Sequence, residues 1–225
     1  MITRNTTFTS VAVCLFLSVF CLAGPVAQAQ QIQVCCTVTD LGSLVREIGG
    51  NQVSVTVFAK GTEDAHFVHA KPSFVKSLSQ AELYVQVGLE LEIGYSPVLL
   101  QGARNAKVNA GASGNLQVAT AIQPMNIPTG VVNRAMGDVH RGGNPHFLSD
   151  PLGGLKVARL IRDKLAELRP QQKTYFEDRY AAFATRLCSL LVGEELAKKY
   201  SVEEVEKLAL LFQYGKLESF LKSQD

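Results

Sequence analysis

The sequence predicts an α/β fold built around a parallel sheet. Short apolar runs with high strand propensity occur at residues 31–37, 53–58 and 83–87. They alternate with segments in which apolar residues recur at helical spacing. Strands that alternate with helices in this way are typical of βαβ units, in which successive strands lie parallel.

Three helices are predicted between and after these strands. Thr39 or Asp40 caps the first, whose apolar residues fall at i, i+3, i+4 and i+7 and which ends at the glycine pair that follows. Pro72 opens the second helix, because proline suits the first helical position. Residues 92–101 are predicted to form the third.

The C-terminal part of the chain is predicted to be helical. Asp150 is a cap in front of a proline, and a helix with an apolar inner face follows it. Pro170 interrupts this helix, and residues 171–192 then form a long helix with clustered aromatic residues. Residues 194–224 are again amphipathic. No further strand–helix series follows the long helix, so no second sheet is predicted there.

The first 29 residues are predicted to be a cleaved secretory signal peptide. Arg4 gives a weakly positive start, and residues 11–23 are apolar but too short for a usual membrane span. The tripeptide that ends at Ala29 fits the small-x-small cleavage rule. A signal anchor and a lipoprotein at Cys21 are the alternatives, although the bulky Phe20 argues against the lipoprotein. We therefore expect export, as a mature chain of about 195 residues, enough to bury a substantial core.

Charge and cysteine content exclude several other classes. A net charge of +2 and the lack of a basic run indicate neither a nucleic-acid surface nor a membrane-surface helix. Cys35, Cys36 and Cys188 follow the signal segment, and an odd count gives no disulfide framework. Buried thiols are therefore favoured, with a Cys35 or Cys36 metal site as the alternative.

All four histidines lie in two short, turn-rich segments. His66 and His69 belong to GTEDAHFVHAKPS, after the run at residues 53–58, and His140 and His146 belong to GDVHRGGNPHFLSDP. Imidazole is the commonest protein ligand for zinc and its neighbours. Because ligands collect beyond the carboxyl ends of strands in open α/β sheets, we expect the two segments to form halves of one metal site.

Two features of these segments favour ordered ligands. Glu63 and Asp64 are close enough in sequence to hydrogen-bond a ring nitrogen of His66 and so set its tautomer. Pro145 holds the residue before it extended and stiffens the approach to His146.

Taken in order, these segments resemble the solute-binding component of ABC importers for zinc and manganese, a periplasmic family. VCCTVTDLGSLVREIGGNQVSV resembles the family's first strand–helix–strand, and GTEDAHFVHAKPSFVKSLSQAEL its first ligand loop and the helix after it. VGLELEIGYSPVLLQGARN is similar to its next strand and helix, and NPHFLSDP to a ligand motif. The fuller GDVHRGGNPH is similar to a subset of zinc binders. The resemblance runs from about residue 34 to residue 187.

The resemblance implies a transport function rather than an enzyme. It implies that the protein captures Zn²⁺, or less favourably Mn²⁺, in the periplasm and delivers it to an ABC importer permease in the inner membrane. His66 and His146 match the two metal ligands, His69 stands where many members have Glu, and His140 belongs to the subset motif. All four are candidate ligands. Glu92 matches an acidic position that we interpret as structural, at a helix start.

The resemblance also implies a domain organisation. Family members have two α/β lobes joined by a long helix, and the second lobe supplies further ligands. Residues 30–170 match the N-terminal metal-binding lobe and residues 171–192 the joining helix. Residues 193–225 contain no histidine and no recognisable sheet. We therefore expect them to be a helical remnant of a truncated second lobe.

Two other functions are compatible with the same residues. A secreted zinc hydrolase would hold a catalytic ion with His66, His69 and either His140 or His146, and would use Glu63 or Asp64 as a base. The histidine pairs do not form an HExxH motif on a helix, which argues against it. The other possibility is a lone lobe with little metal affinity, because a closed zinc site needs more donors than His66 and His146.

Overall fold

Four parallel strands form the sheet, in the spatial order β2-β1-β3-β4. The protein is described by a computed structural model over residues 30–132 and 139–223. The predicted signal peptide therefore lies outside the described residues. The strands are β1 (Ile32–Cys36), β2 (Val53–Val57), β3 (Leu83–Gln86) and β4 (Asn115–Gln117). The predicted parallel α/β fold is confirmed.

The two central strands are buried on both faces, as is usual in parallel sheets covered by helices. All four residues of β3 are buried, and so are the adjacent Cys35 and Cys36 of β1, whose side chains face opposite sides of the sheet. Burial raises the pKa of the Cys35 thiol to about 12 and that of Cys188 to about 11, which disfavours the thiolate that binds metals. The three cysteines of the described residues, Cys35, Cys36 and Cys188, are all buried and free.

Eight α-helices occur in the described residues. The structure places them at α1 (Thr39–Gly49), α2 (Pro72–Gln80), α3 (Ser96–Ala103), α4 (Pro151–Leu168), α5 (Lys173–Val192), α6 (Glu194–Ala197), α7 (Val202–Gln213) and α8 (Leu217–Lys222). Their start and stop signals act as predicted at three ends, but the predicted cap of α1 is wrong: Val38 is the N-cap, without a side-chain hydrogen bond, and Thr39 and Asp40 lie inside the helix. Gly50 takes a positive φ of 51° just after α1, Pro72 opens α2, and the Asp150 side chain accepts a hydrogen bond from the Leu152 N–H at the start of α4.

The third predicted helix, at residues 92–101, starts in the wrong place. The structure begins α3 at Ser96 and gives residues 88–95 a series of turns. The cause lies at Tyr95, whose φ of −139° is outside the helical range, so the residues before it do not continue α3. Glu92 is therefore in a turn and not at a helix start.

The predicted C-terminal helical segment packs onto the sheet's helices. It is divided into α6, α7 and α8, and α7 lies against α5 with Val205, Leu208 and Ala209 buried. The Tyr180 hydroxyl of α5 donates to Glu206 (2.7 Å), which also pairs with Arg159 of α4. The residues from Gln31 onward form one compact unit. The predicted boundaries at residues 170 and 192 stay predictions.

No helix among the described residues is long and apolar enough to span a membrane. The long helix α5 is interrupted by charged and polar residues throughout its length.

Candidate metal centre

Three histidines converge at the carboxyl end of the sheet. His66 lies in the loop that follows β2, and His140 and His146 lie in the segment between β4 and α4. One ring nitrogen from each of the three lies within 4.8 Å of the others. The two histidine segments therefore meet at one place, as expected for loops that follow the carboxyl ends of parallel strands.

His66 is the most firmly held of the three. Its Nδ1 lies 2.8 Å from Asp64 Oδ1, and its backbone N–H donates to the same oxygen at 2.9 Å. This pairing puts the proton on Nδ1 and leaves the Nε2 lone pair for a ligand. Nε2 faces His140 Nε2 at 3.1 Å. The backbone N–H of His66, followed by its ring, holds the pKa of Asp64 below its ordinary value, so the carboxylate stays ionised.

His146 is positioned by the start of α4. Its backbone N–H donates to Asn144 Oδ1 at 2.8 Å, and its carbonyl accepts from the Ser149 N–H at 3.2 Å. The short 3₁₀ turn that begins with Phe147 leads directly to the Asp150 cap of α4. A helix that packs in the core therefore carries this ligand candidate at its end, while the side chain itself is exposed.

His69 stays outside the group formed by the other three histidines. The Phe67 N–H donates to the Asp64 carbonyl at 3.0 Å and closes a turn, and Val68 is then buried with 5% exposure. His69, the next residue, is exposed. Glu63 is occupied locally, because it accepts a hydrogen bond from the Lys60 N–H at 2.9 Å.

Three convergent imidazoles suit a borderline-soft divalent ion. Neutral imidazole nitrogens are typical ligands of zinc, and three of them leave at least one position of a tetrahedral ion for another donor. Only 13% of the His66 side chain is exposed, so it is partly desolvated, whereas His146 borders solvent. The arrangement allows an ion to enter from solvent and be held against the sheet edge.

Sequence reasoning missed the position of residues 88–95 relative to the two histidine segments. A Cβ added at Gly94 would lie 3.1 Å from the His66 carbonyl oxygen, and Glu90 Oε2 accepts from the Arg141 N–H at 3.3 Å. This segment thus lies between the two histidine segments. Its available sequence signal was Gly88, two residues after the end of β3, whose positive φ of 89° glycine readily adopts.

The fold and this cluster define an α/β protein with a candidate metal centre at a sheet edge. The sequence profile of the ZnuA family, described as zinc-uptake complex component A, periplasmic, matches residues 34–201. The chain belongs to this family, among the solute-binding proteins of zinc and manganese ABC importers. The resemblance stated from the sequence is confirmed.

Individual relatives agree with the assignment. The metal ABC transporter substrate-binding lipoprotein SloC of Streptococcus mutans is 24% identical over 95% of this chain and 67% of its own length. The manganese ABC transporter substrate-binding lipoprotein PsaA of Streptococcus mitis is 23% identical over 93% of this chain and 66% of its own length. The chain thus spans about two thirds of these curated relatives.

A solved structure supports the fold. The crystal structure of ZnuA superposes with a TM-score of 0.55 at 24% identity, over 72% of this chain and 61% of that chain. At this level of identity the likeness establishes the shared architecture and leaves the bound ion open.

Proposed function

We propose that this chain captures a divalent metal ion, Zn²⁺ in preference to Mn²⁺, for delivery to an ABC importer permease in the inner membrane. The observation that carries the proposal is the convergence of His66, His140 and His146 within 4.8 Å. His66 follows β2 and the other two follow β4, and these strands are the two edges of the sheet. Side chains from such distant segments meet because the fold brings them together, which favours a specific site over a chance local cluster. The relatives' descriptions as metal ABC transporter substrate-binding proteins point the same way.

The ligand chemistry favours zinc. The three grouped donors are all imidazoles, whereas Mn²⁺ prefers carboxylate and other oxygen donors. Asp64 is the carboxylate nearest in sequence, and it is hydrogen-bonded to His66. It therefore acts on the ion through the imidazole, as an orienting partner. His69 is proposed only as an auxiliary donor, because it lies outside the group and is exposed.

The proposed location is the periplasm. The signal peptide would direct export and then be cleaved after Ala29. The apolar stretch and the small-residue site support this proposal, as does the description of the family as periplasmic. Mass spectrometry of the mature protein tests it, because cleavage leaves Gln30 as the first residue. The proposed partners are the metal ion and the permease, with no nucleic acid.

The alternative of a zinc hydrolase is supported by the open coordination position that three histidines leave. It is weakened by the state of its proposed bases: Glu63 accepts from the Lys60 N–H, and Asp64 accepts twice from His66. We therefore propose a transport protein without enzymatic activity. Hydrolysis of an ester or amide by the zinc-loaded protein, abolished in Glu63→Gln, would reverse this choice.

Calorimetric titration of the mature chain with Zn²⁺ at neutral pH tests the transport proposal. We expect binding that releases protons, because each imidazole must be unprotonated to bind. His66→Ala and His146→Ala are expected to weaken affinity by on the order of a hundredfold, since each removes one ligand.

His69→Ala is the matched control, an exposed histidine from the same segment that lies outside the group. Because an auxiliary donor outside the group contributes less than a grouped ligand, we expect its affinity to fall far less than in His66→Ala and His146→Ala. If the wild-type chain binds no zinc, the proposal is wrong and a lobe with little metal affinity is the better interpretation. Equal losses in all three variants would contradict the assignment of the ligands.

A further inference from the structure

The segment that leaves β3, residues 88–95, touches both histidine segments; we call it the β3 exit loop. At one end Gly94 packs against the His66 carbonyl, since an added Cβ would lie 3.1 Å from that oxygen. At the other end Glu90 Oε2 accepts from the Arg141 N–H at 3.3 Å. Leu89 also lies close to this second segment: a Cβ on Gly142 would meet its Cδ2 at 2.9 Å.

The conformation of this loop is costly on its own. Leu89 and Glu90 both have positive φ values, 53° and 68°, and neither is glycine. A side chain strains the backbone in this region, so surrounding contacts must hold it there. The loop is therefore expected to relax if its anchor is removed.

The anchor is the carboxylate of Glu92, which is 3% exposed. Its Oε1 accepts from the Thr37 hydroxyl and from the Val87 N–H, each at 2.7 Å, and its Oε2 accepts from the Gly88 N–H at 3.1 Å. These bonds close the base of the exit loop and tie it to the end of β1.

Thr37 is itself fixed to the neighbouring strands. Its N–H donates to the Val85 carbonyl at 3.1 Å, and its carbonyl accepts from the Ala59 N–H at 2.9 Å. Ala59 begins the loop that carries His66. The Glu92 carboxylate thus stands at the point where the backbones of β1, β2 and β3 leave the sheet.

Stability alone does not account for an acidic residue here. Burial raises the pKa of Glu92, and the hydrogen bonds from Thr37, Val87 and Gly88 oppose that effect. Among the described residues no Lys or Arg forms an ion pair with it. Burying a carboxylate without a cation destabilises the fold. We infer that the residue is kept because its hydrogen bonds hold the loop in one conformation.

We propose that Glu92 is a positioning residue: through the β3 exit loop it holds His66 and His140 at the separation that the metal ion requires. The inference rests on the proposed metal-binding function and deepens it. The hydrogen bonds of the Glu92 carboxylate go to Thr37, Val87 and Gly88 and to no histidine of the group. It acts through Gly94 on the first segment and through Leu89 and Glu90 on the second.

The test compares zinc affinity and coordination in Glu92→Gln and wild type. Glutamine keeps the shape but replaces one acceptor oxygen with an NH₂ group, so at least one of the three hydrogen bonds is lost. We expect zinc affinity to fall by roughly tenfold or more, the size of effect seen when outer residues that orient metal ligands are changed. The absorption spectrum of the Co²⁺-loaded protein is expected to change as well, because it reports the geometry of the coordinating atoms.

Two further variants address the same contacts separately. Thr37→Val removes the hydroxyl donor and is expected to weaken zinc binding, whereas Thr37→Ser retains the hydroxyl and should restore it. Gly94→Ala places a methyl group against the His66 carbonyl without altering Glu92, so it tests the loop even if Glu92→Gln fails to fold.

Glu82→Gln is the matched control for a purely structural effect. Glu82 directly precedes β3, at the end of the strand opposite the β3 exit loop. Its carboxylate accepts two hydrogen bonds from Arg169, at 2.9 and 3.0 Å. We expect this variant to lower thermal stability and to leave both zinc affinity and the Co²⁺ spectrum unchanged.

The outcomes separate this inference from the proposed function. Absence of zinc binding in the wild-type chain overturns both. Normal zinc binding with unaltered affinity in Glu92→Gln, Thr37→Val and Gly94→Ala overturns the positioning role and leaves the transport function standing. Equal losses in Glu92→Gln and Glu82→Gln also overturn it, because they would indicate a general loss of structure.

Discussion

The two ends of the parallel sheet are built in different ways. At the amino end, polar side chains join the elements that meet there. Arg169 pairs with Glu82, the Asn105 amide donates to the carbonyls of Leu78 and Ala81, and Tyr175 hydrogen-bonds Asn51. Each contact links residues far apart in sequence and satisfies a polar group that the fold would otherwise bury or leave loose.

The carboxyl end of the sheet has more strained backbone, and its loops expose large apolar side chains. Of the four non-glycine residues with positive φ in the described chain, Leu89, Glu90 and Asn126 lie there, and Arg104 lies at the amino end. Large apolar side chains are exposed in the loops of this end: Phe67 (75%), Ile93 (67%), Met125 (68%), Ile127 (56%) and Val131 (89%). The three grouped histidines lie among these loops.

The contrast shows that the end of the sheet that carries the histidines has less favourable local structure than the opposite end. Strained backbone and exposed apolar groups cost stability, and proteins tend to keep them where function requires them. Contacts at the amino end compensate by holding the strands and helices together. We therefore expect changes at the carboxyl end to alter metal affinity more than stability, and changes at the amino end to do the reverse.

Acidification is expected to give the largest difference between the two ends. Metal ligands must be unprotonated, and imidazoles gain protons between pH 8 and 5, so zinc affinity should fall by at least a hundredfold between about pH 7.5 and 5.5. The pKa of Asp64 is lowered by its bonds from His66, so the stabilisation it provides persists at neutral pH and is lost only when the pH falls through that lowered value. The loss of affinity should therefore come from the imidazoles.

Calorimetric titrations at several pH values, with thermal unfolding of the metal-free protein alongside, measure both quantities. An affinity that stays constant over this range would contradict imidazole ligation. A parallel collapse of the metal-free fold would show that the two ends are not separable.

Asp64→Asn is expected to give the next largest effect. The asparagine carbonyl still accepts from the His66 ring, but the loss of the negative charge makes the imidazole a poorer donor, so zinc affinity should fall by about tenfold. Glu63→Gln is the control, because that neighbouring carboxylate binds the Lys60 N–H and lies in the same loop. Equal affinities for Asp64→Asn and wild type would rule out an orienting role for Asp64.

Local signals predicted most of the fold, and long-range contacts account for what they missed. Asp150 with its following proline and the glycine pair at the end of α1 act within a few residues, so the sequence reveals them. Strand β4 is only three residues long and was not predicted, because it is a strand through its pairing with Tyr84, Val85 and Gln86 of β3.

The candidate metal site was likewise predicted in part, and the missed part again depends on contacts between distant residues. Two histidine segments 74 residues apart were expected to meet, because strand ends in a parallel sheet share one edge. His69 separates from His66 because burial of Val68 turns the next side chain outward, and spacing in a loop does not reveal that. The role of Glu92 depends on Thr37, which is 55 residues away.

Arg169→Met is expected to give the smallest of these effects, and only on stability. It removes the two bonds to Glu82 and leaves that carboxylate partly buried, with 23% of its side chain exposed. Because water still screens the pair, the free energy of unfolding should fall by about 1 kcal/mol. Urea denaturation measures this loss, and a zinc titration of the same variant should match wild type within about twofold. A tenfold loss of zinc affinity in Arg169→Met would show that the amino end positions the ligands too, since the strands between the two ends would then transmit the change.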